Sequence, residues 1–119
     1  MSGHRILHDA LVAPTEGYDP GASGTISVVK NLELYDLASD VGAETRTLNP
    51  PSRAGIYLTI RMKEDNGDIV MTSANGLNVA GNTQATFADV GDLLFMVSCA
   101  HTTGYRWEIL VNTGSVALA

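Results

Sequence analysis

TFADVGDLLFMVSCAHTTGYRWEILV, residues 86–111, is the densest apolar stretch of the chain and decides its fold. It holds both phenylalanines and the single tryptophan. Residues 93–97 (LLFMV) are a short continuous apolar run, the pattern of a strand buried on both faces. Residues 105–111 begin by alternating: Tyr105, Trp107 and Ile109 fall on one face, Arg106 and Glu108 on the other. Between the two runs lies a polar connection, Cys99, Ala100, His101, Thr102, Thr103 and Gly104. The stretch therefore predicts a β-hairpin with a loop of roughly five residues. Its Phe95, Trp107 and Ile109 are candidate core residues.

Working outward, residues 55–62 (GIYLTIRM) give the best alternation in the chain. Ile56, Leu58, Ile60 and Met62 share the inward face, and Tyr57, Thr59 and Arg61 point outward. Tyr57 and Arg61 are candidate interface residues, because interfaces enrich exposed aromatics and arginines. The run ends at Glu64-Asp65-Asn66-Gly67-Asp68. Asn-Gly between apolar runs predicts a type I′ hairpin, with residues 69–72 (IVMT) as the return strand.

Shorter strands are expected over residues 25–29, 31–36, 45–48 and 85–87, with a terminal edge strand near 116–118. In the second of these, Leu32 and Leu34 share one face, and Glu33 and Tyr35 the other. Pro50 and Pro51 stop the third, since proline cannot donate to a ladder. Residues 36–44 read as a loop. Residues 73–83, with two Asn-flanked glycines, read as tight turns around a minimal strand. The whole predicts a single all-β domain over residues 25–119: a β-sandwich or barrel (jelly-roll-like) of about eight short strands, with turn signals about every ten residues.

Residues 1–24 differ. Ile6, Leu7, Leu11 and Val12 are too few for a stable isolated helix, and Pro14, Gly17, Pro20, Gly21 and Gly24 break regular structure. The segment reads as an extended N-terminal arm. Ile6, Leu7, Leu11, Val12 and Tyr18 are its candidate contacts with a partner surface, more apolar than a solvating tail requires.

The chain has 119 residues, enough to bury roughly two thirds of its unfolded surface without staples. Its charged fraction, 17%, is below the usual ~25%, which suggests a surface partly covered by partners. The net charge of −6 and the scattered basic residues argue against nucleic acid as a partner. A single cysteine excludes an internal disulfide and a Cys-based zinc site, and suggests folding in a reducing cytosol. No run approaches the 18 or so apolar residues of a membrane span, and no secretory h-region is visible.

Candidate chemistry is sparse. His4 and His8 are spaced i, i+4 beside Asp9, yet no third ligand is near. Cys99 and His101 lie two apart, and a nucleophilic pair also needs an orienting third group. The acids around Asn66-Gly67 lack the distal bidentate Glu of a calcium loop. Asp89 and Asp92 flank a corner, where Asx hydrogen bonds account for them. No catalytic residue, cofactor or metal is expected, and a small-molecule ligand is not.

Residues 47–52 (TLNPPS), 54–60 (AGIYLTI), 86–92 (TFADVGD) and 105–114 (YRWEILVNTG) together resemble small structural proteins of tailed bacteriophages. In these a leucine-proline segment and a strand precede a Phe/Asp/Gly corner and a terminal Trp strand. The likeness covers residues 45–118. It implies a non-enzymatic capsid decoration (cement) protein, a homotrimer on the outer surface of the virion, assembled in the host cytoplasm. The major capsid protein would be its partner, with the arm reaching the shell. The same resemblance admits a head-fibre or tail-fibre module that binds a receptor or glycan, with Tyr57, Tyr105 or Trp107 as a stacking platform.

Overall fold

The computed structural model describes residues 17–102 and 104–119. They form nine strands and no helix: β1 (Gly24–Ile26), β2 (Glu33–Ala38), β3 (Glu44–Leu48), β4 (Tyr57–Glu64), β5 (Ile69–Thr72), β6 (Gln84–Phe87), β7 (Leu93–His101), β8 (Gly104–Thr113) and β9 (Ala117–Leu118). A five-stranded sheet has the order β1-β3-β5-β6-β9, and a four-stranded sheet the order β2-β4-β7-β8. The expected all-β sandwich is observed.

Its topology departs from an antiparallel jelly roll. From β1 to β5 the chain changes sheet at every connection, so β1, β3 and β5 stack in parallel, as do β2 and β4. Each connection is an arch that carries the chain from one sheet to the other. Antiparallel pairing begins at β5–β6 and includes the long β7–β8 hairpin.

The Asn66-Gly67 turn is such an arch, and the expected β4–β5 hairpin does not form. A type I′ turn needs positive φ at both central residues. Here Gly67 has it and Asn66 does not. Asn66 is held instead by the arch of residues 39–43: its amide donates to Ser39 Oγ (2.7 Å) and its side-chain Nδ2 to the Ser39 carbonyl (3.0 Å). The two arches stack so closely that a Cβ on Gly67 would lie 2.1 Å from the Gly42 carbonyl carbon. Gly67→Ala is expected to cost about 1–3 kcal/mol through this backbone clash, read as a lower urea midpoint.

The core lies between the sheets. β4 behaves as its alternation predicts: Ile56, just before it, and Leu58, Ile60 and Met62 are all fully buried. They align with β2 and β7 through Tyr35↔Ile60↔Leu94, Leu37↔Met62 and Leu58↔Met96. Ile26, Leu48, Ile69, Met71, Ala85 and Phe87 face them from the five-stranded sheet.

Several boundaries move. β2 continues through Leu37 and Ala38, which the sequence assigned to a loop, and its inward residues are Tyr35 and Leu37. Leu32 precedes the strand at φ +65 and is exposed. β7 runs to His101, so Cys99 and His101 belong to a strand and the hairpin closes on the His101↔Gly104 pair. The Asp89–Asp92 corner is held by Asp92 Oδ2, which accepts from the amides of Ala88 (3.0 Å) and Asp89 (3.1 Å).

Of the arm expected over residues 1–24, only residues 17–24 are described, and these lie against the domain. Asp36 donates its amide to the Tyr18 carbonyl (3.0 Å), which adds Tyr18 in parallel at the free edge of β2. The next residue, Asp19, reaches the buried side of β3. Its carboxylate accepts from Arg46 Nε (2.8 Å) and NH2 (2.9 Å), and from the amides of Ala38 (2.9 Å) and Gly21 (3.1 Å). Arg46 is itself 1% exposed, and its NH2 also pairs with Glu44 (3.0 Å). Burial alone would raise the Asp19 carboxyl, but the bonds from Arg46, Ala38 and Gly21 outweigh it and hold it below its usual 3.8.

Candidate assembly surface

The solvent side of the four-stranded sheet gathers the two interface candidates. On β7 the alternation is half-buried and buried: Leu94 and Met96 enter the core, while Leu93, Phe95 and Val97 point away from it. The expected two-sided burial of residues 93–97 is thus corrected to one side. No described strand packs over the other. Phe95, a core candidate from the sequence, sits on this outer face. Trp107 is fully buried as expected, and Ile109 packs against the core.

Strand register builds the face in rows. Tyr57 stands beside Val97, which stands beside Glu108. Leu34, Thr59, Phe95 and Val111 form the next row. Asp36, Arg61, Leu93 and Thr113 form the third. The Tyr57 and Phe95 rings stack with centroids 5.7 Å apart and planes inclined by 14°. Leu32 lies alongside, its amide donating to the Tyr57 carbonyl (2.9 Å). A leucine held at positive φ with an exposed side chain is a costly local conformation, of the kind that clusters at functional surfaces.

The charges on this face are paired among themselves. Arg61 grips Asp36 with two bonds, Nε to Oδ1 (2.7 Å) and NH2 to Oδ2 (2.9 Å). The bond and the charge of Asp36 push the Arg61 guanidinium above its ordinary pKa. Arg106 Nε bonds Glu108 Oε2 (3.2 Å) on β8. An apolar centre of Leu34, Tyr57, Phe95, Val97 and Val111 thus lies between two closed ion pairs. That is the make-up of a surface suited to burial, since truncating one half of a buried pair is far costlier than burying both halves together.

The sheet edge beside this face is covered. Ile109 donates its amide to the Leu77 carbonyl (3.2 Å), and Asn75 Nδ2 bonds the Tyr105 carbonyl (2.8 Å). The 73–83 segment therefore blocks strand addition along that part of β8. What β8 offers outward is side chains, chiefly Leu110 and Val111, 52% and 46% exposed.

The remaining sequence candidates fall elsewhere. Ile6, Leu7, Leu11 and Val12, and with them His4 and His8, lie outside the described residues. Tyr18 is exposed and meets Tyr35 edge-on, centroids 5.9 Å apart. Trp107 is buried, so it cannot serve as a sugar-stacking platform; Tyr57 and Tyr105 remain partly exposed. Cys99 and His101 occupy alternate positions of β7, and His101 Nε2 is buried without a hydrogen-bond partner among the described residues. No three His, Cys, Asp or Glu side chains converge on a common point among the described residues. No helix of the described residues is long and apolar enough to cross a membrane.

Sequence reasoning missed Leu34, Asp36, Phe95, Val97 and Val111 as members of the face. The signal was present in the run LLFMV, whose alternate residues had to meet something on each side. No protein-family model matches the chain, and no curated protein is significantly similar to it.

Proposed function

We propose that the protein is a non-enzymatic structural protein of a tailed-bacteriophage virion, a decoration (cement) protein that bridges neighbouring capsomers on the outside of the head. The observation that carries this reading is the apolar outer face of the four-stranded sheet, which no described strand covers and on which Asp36 and Glu108 are already paired. Such a face suits a protein whose work is contact area, and it uses no reactive group. The resemblance of residues 45–118 to phage structural proteins supports the same reading. The chain forms a homotrimer, and the segment ahead of Gly17 reaches the major capsid protein.

Sedimentation with purified empty heads tests this. The full chain is expected to pellet with the heads and to raise their melting temperature. A variant lacking residues 1–16 is expected to keep its circular dichroism and attach more weakly. The cut must stop before Gly17, because removing Asp19 strands the buried Arg46. Equal attachment of the two forms would overturn the role of the N-terminal segment. Glycan or host-cell binding without head binding would move the assignment to a fibre module.

A further inference from the structure

We infer that the outer face of the four-stranded sheet is where copies of this chain pack against one another, the faces of the three copies meeting around the trimer axis. The inference rests on the decoration reading for its context and names the surface that builds the oligomer.

Three observations choose a second copy as the occupant. First, Leu93, Phe95 and Val97 belong to an apolar run composed like a strand covered on both sides, and described residues cover one. Second, the register of four strands sets the apolar side chains Leu34, Phe95 and Val111 in one row across the face, with Tyr57 and Val97 in the row beside it, so they form one continuous patch on which another copy can pack. Third, the chain carries a net charge of −6, so its copies repel one another wherever acids are unpaired. On this face Asp36 is closed by Arg61 and Glu108 by Arg106, and Lys63 lies two residues beyond Arg61 on β4. The face presents no excess of acid to another acidic copy. By contrast, the arches at residues 39–43 and 65–68 carry Asp40, Asp65 and Asp68 with no such compensation on the same arches.

The single cysteine supplies an internal probe. Cys99 lies on the outer side of β7, two residues beyond Val97, half-buried and free. Packing of copies through this face shields its thiol.

The experiment is sedimentation velocity on the full chain up to about 100 µM, a range that captures micromolar association. Alongside it, the rate of Cys99 alkylation is followed as a function of protein concentration. The wild type is expected to sediment as an oligomer, with alkylation slowing as concentration rises. Val97→Lys and Tyr57→Glu are expected to weaken association about 30-fold or more and to abolish that slowing. Val41→Lys, on the exposed 39–43 arch, is expected to leave both unchanged. Circular dichroism of each variant confirms that the core has folded. A wild-type monomer across this range overturns the inference, as does association unaffected by both face variants. If that monomer still binds heads, the decoration reading stands and the face belongs to the capsid protein. If removal of residues 1–16 speeds Cys99 alkylation of a monomer, the face belongs to this chain's own N-terminal segment. An oligomer that ignores heads keeps the inference and removes the decoration reading.

Discussion

Arg46→Ala is expected to lower the unfolding free energy by about 3–5 kcal/mol, the range for breaking a buried ion pair from one side. Arg46 is enclosed between the sheets and bonds Asp19, Glu44 and the carbonyls of Thr45 and Ala38. Its removal leaves two carboxylates facing each other at the rim of the core, with side chains only 18% and 10% exposed. For a domain of ordinary stability, about 5–15 kcal/mol, this is a large fraction, and the melting temperature should fall by on the order of 15 °C. Urea titration followed by circular dichroism measures it. Pairing Arg46→Leu with Asp19→Asn should recover part of the loss, because the uncompensated charge is then reduced. A loss below about 1 kcal/mol for Arg46→Ala would show the cluster to be solvated after all.

The same cluster sets an acid limit. The folded pKa of Asp19 lies below its unfolded value of 3.8. Its contribution is therefore fully present above pH 3.8 and is lost as pH falls through the lower folded value. Asp19→Asn should destabilise the protein at neutral pH and flatten the decline of stability below pH 3.8.

Trp107→Ala is expected to be comparably severe, about 3–5 kcal/mol, from lost burial and the cavity left behind. Trp107 is wholly enclosed, and its Nε1–H donates to the Asn49 carbonyl (3.0 Å) in the segment ahead of Pro50. One side chain thus ties β8 to the arch between β3 and β4. Trp107→Phe keeps most of the volume and orphans that carbonyl, so its cost should be smaller, about 1–3 kcal/mol. The difference between the two substitutions separates packing from the hydrogen bond. As the single tryptophan, it should give blue-shifted emission in the native protein that moves red on unfolding.

Much of the fold was legible because period-two alternation reports burial directly. The inward series Ile56, Leu58, Ile60, Met62 follows from GIYLTIRM alone. The β7–β8 hairpin follows from apolar runs around a polar connection. Pairing between distant strands was not legible, since alternation says which side a residue faces and not which strand lies beside it. Asn66-Gly67 shows the limit: the dipeptide marks a turn, but stacking on the 39–43 arch turns the chain into the other sheet. For the candidate surface, Tyr57 and Arg61 were visible as outward residues of β4. Their neighbours Phe95 and Val97 came from a continuous apolar run, which does not say which of its two sides the second sheet covers. Arg46 had a local signal, alternation placing it on the face of Leu48, but its partner Asp19 is brought there by tertiary structure.

The alternation of β1 to β5 between sheets also decides when the chain can fold. Gly24 must wait for Arg46, Glu33 for Leu58, and Tyr57 for Val97, so no strand in the first half finds its partner next in line. Such long loop closures are slow, placing folding in the millisecond-to-second range of non-local β topologies, around ~1 s at the slow end. The tightest local unit, β7–β8, follows all of these strands in sequence. The parallel pairs can all form within residues 24–72, whereas β4 keeps one edge open until β7 pairs with it, so loss of β7 should leave that edge of the four-stranded sheet exposed.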